Sequence, residues 1–184
     1  MPSFLPRLLL VAVTLVAAAA IGCSSDDAEA TPEAFAGAVC GAVASWQADL
    51  GTGAAALESR SQGSVDPGAA REALVHFLTL VVERTGELRV DVDAAGAPEG
   101  AGAGEVAAAV RSRVEDARRL FETARAAAEE LPEADAPAVA RGAENIGRTV
   151  VEAQARIGAP LGGPAASPVR SALREHPACR DLTG

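Results

Sequence analysis

The chain has 184 residues, with 25 carboxylates against 16 arginines, no lysine, and a formal net charge of -9. That balance argues against nucleic-acid binding and against a basic patch gripping anionic lipid. The lack of lysine removes P-loop, pyridoxal and Ser-Lys chemistry, and one Trp, four Phe and no Tyr leave little for stacking platforms.

The first feature in chain order is an apolar run. Arg7 precedes an uncharged stretch over residues 8–22, which small residues close just before Cys23 and the acidic "SSDD". A run this short falls below the roughly 20 residues of a spanning helix and reads as an export signal. The quartet Ala20-Ile21-Gly22-Cys23 resembles the lipobox of a bacterial lipoprotein precursor, with alanine where that family most often has leucine. The resemblance implies that Cys23 receives a diacylglycerol, that residues 1–22 are removed, and that the protein is lipid-anchored, palmitate-type, on the extracytoplasmic face of the cell membrane. Two or more acyl chains hold stably where one is marginal. The other reading of these residues is a secretory signal cut elsewhere that leaves Cys23 as a free thiol, an unusual state in an exported protein. On the lipoprotein reading, residues 23–30 are the acylated cysteine and its tether, and 31–184 form one helical domain of ordinary size. The lysine-free, Ala/Arg/Gly-rich usage is of actinobacterial type.

Beyond the tether, "TPEAF" combines a capping Thr31, Pro32 at the first helical position and Glu33 at the positive end of the helix dipole. Phe35, Val39, Ala42, Trp46, Leu50 and Leu57 then recur at helical steps, predicting a helix over 32–57 that Gly51 and Gly53 loosen or end early. Gly37, Gly41, Ala44, Ala48 and Gly51 form a second, small-residue face, suited to close approach of another backbone or simply reflecting composition.

Asp66 and Pro67 open a second helix, lined by Ala70, Leu74, Phe77, Leu78, Val81, Leu88 and Val92 and stopped by Gly96 and Pro98. Gly100, Gly102 and Gly104 imitate part of a dinucleotide loop, but no strand precedes them and they read as a linker. A third helix carries Val106, Val110, Val114, Ala117, Phe121, Ala124, Ala128 and Leu131 at steps of three and four, up to Pro132. A fourth starts near Asp135 and Pro137 with Val139, Ala143, Ile146, Val150, Ala153 and Ile157 along one seam. Ser167 and Pro168 cap a short fifth helix reaching Glu175 or His176, followed by the tail "HPACRDLTG". The expected fold is all-α, an up-down-up-down four-helix bundle with that short C-terminal helix.

With Cys23 acylated, Cys40 and Cys179 are an even pair in an oxidising compartment, and a disulfide between them is expected. It staples the C-terminal segment to the small-residue face of the first helix. Two cysteines without neighbouring His or Cys ligands do not resemble a zinc site, so no metal or other cofactor is expected. The mature part also resembles small helical actinobacterial lipoproteins with one cysteine in the first helix and another near the C-terminus, a likeness that implies an address and no activity.

Candidate chemistry is thin. Glu72 and His76 stand at i, i+4, which suits a metal but is by default an exposed helix pair. His176 precedes Pro177 and reads as part of the turn presenting Cys179. "GSVD" is not the hydrolase nucleophile elbow, and Glu129, Glu130, Glu133 and Asp135 lack calcium-loop spacing. No catalytic residue is nominated. The expectation is a non-enzymatic envelope protein acting through protein–protein contact, with a carrier or sensor of a small apolar ligand inside the bundle as the alternative.

Overall fold

Residues 30–61, 66–158 and 167–182 are described by the structure, a computed structural model. The signal segment, Cys23 and all of the tether but Ala30 lie outside them. Thr31 starts the first helix as its sequence implies: its Oγ1 accepts from the Ala34 amide at 3.2 Å, and Pro32 has no amide to leave unpaired. This helix, α1, spans Pro32–Ser61. It runs through Gly51 and Gly53 and overshoots the expected end by a turn.

Five further helices follow: α2 (Pro67–Ala94), α3 (Ala103–Glu129), α4 (Ala136–Gly158), α5 (Pro168–Glu175) and α6 (Pro177–Leu182). Asp66 caps α2, its Oδ1 accepting from the Gly68 amide at 3.0 Å, and Asp135 does the same for α4 through the Ala138 amide at 2.9 Å. Gly96 leaves α2 at φ +78°, a left-handed turn that glycine takes without steric cost. Ser167 behaves differently. Its backbone carbonyl receives the Arg170 and Ser171 amides, while its buried Oγ makes no cap bond. Within the tail after α5, Pro177–Leu182 is helical, so Cys179 sits on a sixth helix.

The four long helices pack in chain order, α1 on α2, α2 on α3 and α3 on α4, as an up-down-up-down bundle, with α4 also reaching α2. No helix crosses a strand: among the described residues the only β-type pairing is an isolated parallel bridge between Ala30 and Pro98. α5 and α6 lie on α1, and α5 also touches α3. The main core joins Phe35, Val39, Val43, Trp46 and Leu50 of α1 to Val81, Leu88 and Val92 of α2 and Val106, Val114 and Phe121 of α3. A smaller cluster of Leu78, Ala124, Ala128 and Ile146 closes the end where α3 turns into α4. Every apolar stripe position read from α3 is buried except Leu131, which is half-buried.

A buried polar contact crosses the core between α1 and α2. Trp46, 3% exposed, donates its Nε1–H to Thr85 Oγ1 at 3.1 Å, and Thr85 donates in turn to the Val81 carbonyl at 2.7 Å. Both groups are satisfied, as buried polar groups must be. The Trp46 ring also meets Phe121 with centroids 6.3 Å apart and planes tilted by 49°, an arrangement aromatic pairs favour. No described helix is long and apolar enough to cross a membrane.

Candidate functional site

The site residues read from the sequence divide by location. Cys23 lies outside the described residues. Cys40 and Cys179 are joined in a disulfide with Cα atoms 5.2 Å apart, within the normal range for such a bond. Cys40 is fully buried on α1, and the bond draws α6 and, through it, α5 onto that helix. The ends of the closed loop are 139 residues apart in sequence, so in the chain-entropy account the bond removes much of the freedom of the unfolded chain.

The small-residue face of α1 is covered only in part. A methyl group at Gly37 would lie 3.8 Å from His176 Nε2, whereas Gly41 and Gly51 face open space. The close-approach glycine of α1 is Gly53, a helix breaker by sequence. A Cβ there would stand 2.7 Å from Leu80 Cδ2 and 3.3 Å from the Phe77 ring. Its bare backbone thus lets α2 side chains lie across α1.

That crossing floors an open groove of about 210 Å³ between the second half of α1 and the first half of α2. Leu57, Phe77 and Leu80, all half-buried, line it with Ala73, and Asp49, Arg60, His76 and Arg84 stand at its rim. Arg84 is held firmly charged: its hydrogen bond and ion pair with Glu87, followed by the charge of Asp49 3.6 Å away, raise its pKa. The rim therefore presents a compensated cation above an apolar floor. A second open groove of about 380 Å³ lies where α5 meets the start of α1, bordered by Glu33, Ser171, Glu175 and His176.

The remaining candidates do not converge. His76 and Glu72 are both exposed on α2, and no described group of three His, Cys, Asp or Glu side chains is placed to hold a metal ion. The acidic corner is tied into the fold: Arg71 bonds the Glu133 carboxylate at 2.7 Å and the Glu129 carbonyl at 2.6 Å, linking α2 to the α3–α4 connection. His176 joins α5 to α6, its carbonyl accepting the Cys179 and Arg180 amides, as expected of a residue that presents the cysteine. Ser64 of "GSVD" lies outside the described residues. Both grooves open to solvent, and neither is an internal ligand chamber.

No family model, curated protein or solved structure matches this chain.

Proposed function

We propose that this is a lipid-anchored, extracytoplasmic helical-bundle protein of the cell envelope that works by docking another envelope protein and not by catalysis. The observation that carries the reading is the Cys40–Cys179 disulfide. Such bonds persist in oxidising compartments. The pairing uses two of the three cysteines and leaves Cys23, at the junction of the apolar run and "SSDD", as the one outside it. The α1–α2 groove supports a docking role, since Leu57, Phe77 and Leu80 form an apolar floor inside a rim of charged side chains, the arrangement of a small interface.

Two experiments test this. Cys23→Ser is expected to move the protein out of the membrane fraction of its host and to abolish acylation; a variant that stays membrane-bound overturns the anchor. Native mass spectrometry of the gently extracted protein, without reductant, is expected to show a second polypeptide that Leu80→Glu releases. A bound small apolar molecule in its place would favour the carrier.

A further inference from the structure

We infer that the bundle stands end-on to the bilayer, with the end built from Ala30, the α2–α3 loop and the start of α1 facing the lipid and the α1–α2 groove held away from it. The inference rests on the lipid-anchor reading above and adds which surface faces the lipid. Its first support is the place where the chain enters the fold. The Ala30 amide donates to the Ala97 carbonyl at 2.8 Å, and its own carbonyl accepts from the Glu99 amide at 2.9 Å. Pro98 between them is buried. The chain is therefore pinned at the tip of the bundle, two residues before α1 begins, and not along its side.

The second support is length. Six residues separate Cys23 from Ala30. Fully extended at 3.3–3.6 Å per residue, that spacer holds the tip within about 25 Å of an acylated Cys23. The opposite end lies a whole helix away: α3 has 27 residues, or about 40 Å of length at 1.5 Å per residue. Gly53 and Leu57, which line the groove, belong to the half of α1 nearer that far end.

Charge bears on how closely the tip meets the lipid. Glu33, Asp91, Glu99 and Glu105 are exposed around the tip, and Asp93 there is shared between Arg89 at 2.9 Å and Arg111 at 3.2 Å. At the nearby end of α4, Arg156 is matched by Glu152. Asp26, Asp27 and Glu29 add three carboxylates within the spacer. An anionic leaflet repels such a tip over a Debye length of about 8 Å, so the tip is held off the surface and does not adhere to it.

The test uses the full chain acylated in its host and reconstituted into vesicles of phosphatidylcholine with a minor share of phosphatidylglycerol. Two exposed positions receive a single fluorophore each, without reductant: A101C in the α2–α3 loop and A134C in the α3–α4 connection. Energy transfer to a headgroup acceptor is expected to place the label at 134 about 40 Å farther from the lipid than the label at 101, one helix length. Equal distances, the result for a bundle lying on its side, or the reverse order would overturn the proposal. Co-flotation with the vesicles is scored first: protein that fails to float sinks the anchor reading itself, whereas floating protein with equidistant labels sinks only the end-on orientation.

Discussion

Thr85 and Trp46 show how much one hydrogen bond asks of a core. The helical stripe read from α2 passes through Val81 and Leu88 and skips Thr85, because a hydroxyl does not register in a search for apolar positions. Its place between them was nonetheless legible, and a β-branched residue at a buried step needs a partner for its hydroxyl. Thr85→Val keeps the shape but strands the buried Trp46 Nε1–H, so it is expected to cost about 1–3 kcal/mol. Combining it with Trp46→Phe is expected to cost no more than the two singles together, and denaturant unfolding of the four proteins measures the coupling. The caps make a second residue-level contrast. Asp66→Ala removes a real bond to the Gly68 amide and is expected to cost about 1 kcal/mol. Ser167→Ala removes a buried hydroxyl that caps nothing, and is expected to leave stability unchanged or slightly higher in the same assay.

At the scale of elements, α5 and α6 have 8 and 6 residues, too short to hold a helical conformation in water by themselves. They are helical because Val169 and Leu173 bury against the core and because Cys179 is tied to Cys40. Cys40→Ser with Cys179→Ser is therefore expected to lower stability by about 2–5 kcal/mol. Hydrogen exchange of that variant is expected to lose protection in 168–182 first, while α2 and α3 keep theirs; uniform loss along the chain would contradict this order. The same shortness explains why the small-residue face of α1 is only partly used. The short α5–α6 segment places His176 over the turn around Gly37, and Gly41 and Gly51 are left facing open space. The pattern of small residues was visible in the sequence, but what lies over it depends on the length of a segment far along the chain.

For the molecule as a whole, the described core clusters are built from Ala30 onward. A chain beginning at Ala30 is expected to keep a cooperative helical melt by circular dichroism, with Tm within about 4 °C of the mature protein, roughly the shift of 1 kcal/mol in a domain of this size. A broad, non-cooperative melt would show that the tether contributes to folding. The four long helices, the capped starts at Thr31, Asp66 and Asp135, their buried stripes and the cysteine pair were determined by the sequence alone, because caps and a 3.6-residue period are local and act within one or two turns. Tertiary structure alone decided the rest: that α5 and α6 close on α1, that on α1 Gly53 and not Gly41 or Gly51 is the close-approach glycine, that Thr85 meets Trp46, and that the chain enters the bundle beside Pro98. Each of these depends on which residues of separate helices come face to face, and a periodicity within one helix carries no information about its register against the next.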